Sequence, residues 1–461
     1  MMSSLLLPFT KPCVLRVGPQ GMRIATMQGH WRNLTSGMLR QLHVPPQDVT
    51  STKTIKDVIA DLANKVGATK SFSQVEDRSF LLELLPASQD ELPLRTMTDS
   101  WDSALIPLGS NERLREKYVT FMGGVRIGRL LEDLDVFAVW LCYKHLKNPR
   151  QREDMPSPYS IVTALVDRID FNQGSILRPD KDIRLSGHVS WAGRSSLEVI
   201  ITVEQNIDGL WNQVTRAVFV MVARDPLNQG SALVNKLTCE TPQEQKLYQA
   251  GEINKLHRKH IQEVSLFKVP PNETEKTLVH ELFMSMANSK ELSFSSKKKP
   301  ENSIWLEETK LKNLIICHPE FRNVYNKIFG GYLMRKAFEL SWANAFTFSK
   351  QRPRALHVDD IMFRRPVEIG SLLYLNSQVV YTEGHHIQIS TKASVMDPTT
   401  GSINLTNIFH FTYEVNQPVP FVLPKTYHEA MLFLDGRRHY QLVRGLHKFY
   451  GQADKASDTL V

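Results

Sequence analysis

The feature that most restricts this chain is a long-range repeat. "GGVRIGRLLEDLDVFAVWLCYKHL", from residue 123, and "GGYLMRKAFELSWANAFTF", from residue 330, each set a glycine pair ahead of a long run of helical periodicity. Segments of alternating apolar and polar residues follow: "IRLSGHVSW", "LEVIITV" and "QVTRAVFVMV" after the first, "LHVDDIMF", "LLYLNSQVVY", "HIQISTKASV" and "INLTNIFHFTY" after the second. Period-two alternation marks strands with one buried face. It puts Ile183, Leu185, Val189 and Trp191 on one face and Arg184, Ser186, His188 and Ser190 on the other. Ile387, Ile389, Thr391, Ala393 and Val395 form a second such stripe, and Ile403, Leu405, Phe409 and Phe411 a third. "VDRIDF" at 166–171 also answers "VDDIMF" at 358–363. The glycine pairs are 207 residues apart (330 − 123), the spacing of a duplicated domain rather than a solenoid. A helix followed by strands, twice, predicts an α+β fold in which each unit packs a long helix on an antiparallel sheet.

The ends and connectors carry different signals. No Asp or Glu occurs before Asp48, whereas Lys11, Arg16, Arg23, Arg32 and Arg40 are spread among Ser, Thr, Leu and Met. That pattern predicts a mitochondrial transit peptide and disordered N-terminus over 1–45, and "LLLPF" lacks the preceding basic residue of a secretory signal. The formal charge of +8 then falls to about +3 (8 − 5) in the mature chain, so its basicity is weak support for nucleic-acid binding. "STKTIKDVIADLANKV" predicts a helical extension over 46–84. The units are expected at 85–225 and 291–416, with "NPRQREDMPSP" an exposed insertion in the first. A charged helical linker (226–290) joins them, "SSKKKPENS" reads as a solvated loop, and a helical, aromatic and basic extension (417–461) packs on the second sheet. No run of about 18 apolar residues predicts a membrane span. Cys13, Cys142, Cys239 and Cys317 fit neither a disulfide framework nor a metal pattern, which points to a reducing compartment.

A glycine pair at a helix start lets a ligand approach the backbone closely, and first-turn N–H groups lack intrahelical partners. With the helix dipole, such a junction binds phosphate or stabilises the oxyanion formed at an attacked carbonyl. The first long helix is apolar nearly all round, so Glu132, Asp133 and Asp135 lie where a carboxylate must be paired, exposed or used. There is no G-x-S-x-G, H-E-x-x-H, C-x-x-C or Walker lysine loop, and His385-His386 reads as a surface turn. No metal or cofactor is expected.

"NVYNKIFGGYLM" (323–334), the helix with Glu339 behind it, and "HVDDIMFRRPVEIGSLLYL" together resemble the hotdog-fold acyl-CoA thioesterases, in which a long helix is wrapped by an antiparallel sheet. The duplication resembles the tandem double-hotdog acyl-CoA hydrolases, and "GGVRIGRLLEDLDVFA" their mitochondrial branch. The resemblance covers roughly residues 85 to 420 and makes the units two tandem hotdog domains. It implies an active site shared between them, with a loop Asn before one unit's Gly-Gly facing an acid on the other unit's helix. Asn323 matches the loop residue, and Asn326 stands where the family often has glycine. The equivalent in the first repeat, counted from its glycine pair, is Glu116. The competent site would therefore combine Asn323 with Glu132 or Asp133, leaving Glu116 and Glu339 as a degenerate second half-site. The family acid falls seven residues after the second glycine, where this chain has Leu131 and Phe338; Glu132 and Glu339 lie one further on.

The resemblance implies hydrolysis of a fatty acyl-CoA to a free acid and coenzyme A in the mitochondrial matrix. The acid would activate water or attack directly, Asn323 would orient the reactants, and Gly330-Gly331 would hold the thioester oxygen. The alternative is a non-catalytic acyl-CoA sensor or scaffold that keeps the fold. A hotdog hydratase needs an Asp/His pair on the loop, and no such His precedes either glycine pair. A mitochondrial RNA-binding protein has only the basicity in its favour. A homo-oligomer, a trimer by resemblance, is expected.

Overall fold

The computed structural model describes residues 53–67, 77–171, 177–288, 293–321, 323 and 327–444, all within one compact unit, Ser51–Val461. The expected transit peptide, Asn326 and the chain beyond Arg444 lie outside the described residues. Helix α1 (Ile55–Val66) starts on a Thr54–Asp57 capping box and ends at Gly67 in the left-handed region. The short α2 (Met97–Ser100) leads into β1 (Asp102–Ile106), α3 (Glu112–Tyr118) and the long α4 (Ile127–His145). Strands β2 (Ser160–Asp170), β3 (Ile183–Ala192), β4 (Ser196–Ile207) and β5 (Leu210–Arg224) complete the first half. The connector holds α5 (Pro242–Glu263), α6 (Glu273–Met286) and the short strands β6 (Ala287–Asn288), β7 (Ser293–Lys297) and β8 (Ser303–Trp305), so part of "SSKKKPENS" is extended rather than loop. The second half runs β9 (Leu311–Ile316), α7 (Gly330–Ser349), β10 (Arg354–Phe363), β11 (Leu372–Glu383), β12 (His386–Met396) and β13 (Ile403–Glu414), then β14 (Phe421–Leu423) and α8 (Tyr427–Val443).

One ten-stranded sheet has the order β1-β3-β4-β5-β2-β10-β13-β12-β11-β9, which is one five-strand order followed by its mirror. The halves join antiparallel at the two matching hexapeptides. Val166 pairs with Ile361 and Ile169 with Val358, so each pair maps onto the other by a shift of 192 residues (358 − 166).

Helices α4 and α7 pack on the sheet and against each other. Leu130, Leu131, Leu134, Phe137, Ala138 and Leu141 are fully buried, and each large apolar side chain contributes roughly 1.5–3 kcal/mol. The two helices touch through glycines. A β-carbon at Gly128 would lie 3.3 Å from the Arg335 carbonyl oxygen, and one at Gly331 would lie 3.0 Å from Glu132 Cα.

Two of the expected stripes change phase. A bulge between Val189 and Trp191 carries Trp191 to the outer face, where it pairs with Glu198, packs on Gly251 of α5 and donates to Glu252 at 2.7 Å. Ile403 and Leu405 are exposed while Phe409 and Phe411 are buried, because β13 bulges at Thr406, between the Asn407–Ala393 and Leu405–Ser394 pairs. Helix α8 covers the outer face of the second half, packing on β11 and β12 as the C-terminal segment was expected to do.

Candidate active site

The two glycine pairs sit differently on their helices. Gly330 and Gly331 are the first residues of α7. Gly123 and Gly124 belong to a turn before α4: Gly123 has φ 77°, its N–H donates to the Thr120 carbonyl at 2.9 Å, and the helix begins only at Ile127. The helix starts are therefore 203 residues apart (330 − 127), not 207, and the loops agree. Thr120 N–H donates to the Gly124 carbonyl at 2.8 Å, as Asn323 N–H does to Lys327 at 2.7 Å. Thr120 Oγ1 accepts from Gly124 N–H at 3.0 Å, as Asn323 Oδ1 accepts from Lys327 N–H at 3.1 Å. Arg126 N–H reaches the Tyr118 carbonyl, as Phe329 N–H reaches that of Phe321. The counterpart of Asn323 is thus Thr120. Glu116 lies on α3 with its side chain exposed, and no contact between it and Glu339 is found among the described residues.

The three acids of α4 have three different environments. Glu132 receives Arg129 at 2.8 Å and Arg335 of α7 at 3.1 Å, so it belongs to the ion-pair lattice at the helix contact. Glu339 belongs to the same lattice through Arg126 at 2.7 Å, Arg335 at 3.2 Å and Lys336 at 3.7 Å. Burial raises the pKa of Glu339, but those cations outweigh it and hold it below the usual value. Asp133 is buried and accepts the Tyr118 hydroxyl at 2.6 Å. Burial pushes its pKa up to about 7, with Arg129 opposing.

Asp135, two residues beyond Asp133, is fully buried and faces the Gly330-Gly331 junction. Its Oδ1 accepts Thr163 Oγ1 of β2 at 2.5 Å, and the Gly331 N–H nearby favours its charged form. Its Oδ2 has no hydrogen-bond partner among the described residues, and a β-carbon on Gly330 would stand 3.3 Å from it. Burial raises this carboxyl to about 7 against the Thr163 hydroxyl and the Gly331 N–H. A carboxylate with one anchored and one uncommitted oxygen, tuned near neutrality, can accept a proton from water. The mirror position lacks these groups. By the helix register, Phe338 stands in place of Asp135 and packs on Phe411 with ring centroids 5.7 Å apart; by the strand register (163 + 192), Ala355 stands in place of Thr163.

No family model matches the chain. It is 46% identical over 400 residues to bovine mitochondrial acyl-coenzyme A thioesterase 9, covering 86% of this chain and 90% of that protein. The human acyl-coenzyme A thioesterase 9 is 47% identical over 395 residues, with 85% and 89% covered. The chain belongs to the mitochondrial acyl-coenzyme A thioesterase family. A solved Staphylococcus aureus acyl-CoA hydrolase, in complex with butyryl coenzyme A and coenzyme A, is 18% identical and covers 31% of this chain and 93% of its own, with a TM-score of 0.30, too low to bear on the fold.

Counting from the glycine pair does not reach Asp135 and Thr163, which the structure places at the start of α7. The signal was present: Gly128, not Gly124, is the glycine that occupies the place of Gly331 in the helix contact. Seven residues after Gly128 is Asp135.

Proposed function

We propose that this protein hydrolyses fatty acyl-CoA thioesters to free fatty acid and coenzyme A, with Asp135 as the general base. What carries the assignment is the buried, uncommitted Oδ2 of Asp135 at the start of α7. Asp135 takes a proton from water, the water oxygen attacks the thioester carbonyl, and the tetrahedral intermediate expels the coenzyme A thiolate, which is then protonated. Thr163 holds Asp135 in place, and the Gly330 N–H, a first-turn donor without an intrahelical partner, donates to the thioester oxygen. Asn323 orients the acyl group or the water. Glu132 and Asp133, the acids first in line by sequence, have partners that suit them to the helix contact and to anchoring Tyr118.

The same reading makes the two halves tandem hotdog domains, 85–225 and 291–416, sharing one competent site. Extensions flank them at 46–84 and 417–461, with the linker at 226–290. The protein acts in mitochondria, in the matrix, and assembles as a homotrimer. Among the described residues no helix is long and apolar enough to cross a membrane. The test is thiol release from short, medium and long acyl-CoAs by the full chain and by Asp135→Asn. No release by wild type across the panel would leave the non-catalytic acyl-CoA-binding scaffold; a wild-type rate in Asp135→Asn would remove Asp135 from the mechanism.

A further inference from the structure

We propose that His410, Asp435 and His439 form a site for a divalent transition metal, zinc being the natural candidate, between the outer face of the second half-sheet and α8. One ligand atom from each of the three lies within 4.8 Å of the others. Asp435 and His439 are four residues apart on α8 and so share one face of the helix. His410 comes from β13 beneath it, 5% exposed, and its Nδ1 has no hydrogen-bond partner among the described residues. A buried imidazole nitrogen left without a partner is the kind of group that calls for a ligand.

The surroundings are those of a metal histidine. His439 Nδ1 lies 3.2 Å from Asp359 Oδ2, and Asp359 is the cross-strand neighbour of His410 in the sheet register. A carboxylate on Nδ1 fixes the tautomer and the ring orientation, as it does around metal-bound histidines. The two imidazole rings stack at 3.7 Å, 14° from parallel, so binding requires one ring to turn. Asp359 holds the His439 ring, so the turning ring is that of His410. Ser390, the other cross-strand neighbour of His410, also lines a polar cavity of about 200 Å³ together with Lys392, Asn376 and Gln378. The donor set, two imidazoles and a carboxylate, suits zinc with water in the fourth position. Lys392 also lines that cavity, and its charge interacts with Asp435; the ion must compete with it. Nothing in this site touches Asp135 or the Gly330-Gly331 junction, so its role is to pin α8 to the sheet, and it stands independently of the thioesterase reading.

The experiment is titration of the chelator-stripped, tag-free full chain with Zn²⁺ and Co²⁺, by calorimetry, thermal melting and Co²⁺ absorption. Wild type is expected to take up one equivalent, to melt higher with Zn²⁺, and to give the visible bands of a tetrahedral Co²⁺ centre. Asp435→Asn and His439→Gln should lose that binding, and Asp359→Asn should weaken it about 10- to 100-fold. His280→Gln, on α6, should bind as wild type, and thioester hydrolysis should be unchanged throughout. Absence of saturable binding and of Co²⁺ bands in wild type overturns the proposal, as does equal affinity in Asp435→Asn and His439→Gln. The wild-type spectrum decides the matter even if a variant fails to fold.

Discussion

The two helix starts are built on one plan and finished with different chemistry. In both, a loop side chain four residues before its partner N–H closes a small ring, and in both a glycine lets the opposite helix lie against the turn. Around the start of α7 stand Asn323, Asp135 and Thr163; by the helix, loop and strand registers Thr120, Phe338 and Ala355 are their counterparts in the other half. The polar set costs the fold something, because burial raises Asp135 to about 7 and leaves one oxygen unpartnered. The aromatic set fills its space with Phe338 packed on Phe411 and Tyr413. A repeated architecture can keep both helix contacts for stability while only one of them carries the polar set of side chains.

The largest expected break in this comparison comes from Asp135→Asn. Losing a general base should lower kcat by about 10²–10⁴-fold, whereas Phe338→Asp in the mirror position should leave turnover unchanged. Steady-state rates on one acyl-CoA decide it, and equal losses in both variants would mean that both halves are active. Stability should move the other way. A carboxyl whose folded pKa is raised contributes its full stability below its ordinary value and loses it as pH rises through about 7. Asp135→Asn should therefore melt higher than wild type at pH 8, by on the order of a few kcal/mol, with the gain disappearing near pH 4.

Next in size is Asn323→Ala, expected to reduce kcat/KM by about 10²-fold if the side chain meets the reacting groups. Thr120→Ala removes the equivalent ring-closing oxygen from the first loop and should cost only about 0.5–1.5 kcal/mol of stability. Comparable activity losses in the two would show that Asn323 serves only to shape its loop.

Much of the architecture was legible before the structure. The two periodicities, 3.6 and then 2, give helix followed by strands in both halves, and the matching hexapeptides turn out to be the seam of the sheet. Strand phase was lost where a bulge intervened: nothing in "HVSWAG" announces that Trp191 leaves the face of Val189 for α5. The proposed site was half legible. Asn323 and Gly330-Gly331 stand out by residue type, but the proposed acid has to be counted from a landmark, and in the first half the helix contact is made by Gly128 rather than by the conspicuous glycine pair. Gly123 is needed for a left-handed turn and Gly128 for helix contact. A sequence shows two kinds of glycine without saying which does which, so Asp135 emerged as the counterpart of Phe338 only from the loop hydrogen bonds and the helix contact.

Thr163→Val sharpens the pH side of the comparison. Thr163 donates to the ionised Asp135 and so lowers a pKa that burial has raised. Removing the hydroxyl should push the carboxyl higher, so the acidic limb of the kcat/KM profile, near pH 7 in wild type, should move to higher pH. At pH 7 the rate should fall by about tenfold, recovering partly at pH 9. An unmoved limb would show that another group titrates there.

The smallest effect on turnover is expected from Glu132→Gln. Glu132 lies one turn from Asp135 on the same side of α4, but its carboxylate already answers Arg129 and Arg335, and an acid held by two guanidiniums is a poor proton acceptor. The neutral amide should leave kcat nearly unchanged and cost about 1–2 kcal/mol of unfolding free energy, because Arg335 keeps Glu339 while Arg129 loses its ion-pair partner in the lattice. Denaturant melts and turnover on the same samples separate the alternatives. Lower stability with full activity keeps Glu132 in the helix contact. A collapse in turnover matching that of Asp135→Asn, with stability intact, would move the base one turn back along α4 and would mean that Arg335 leaves Glu132 when substrate arrives.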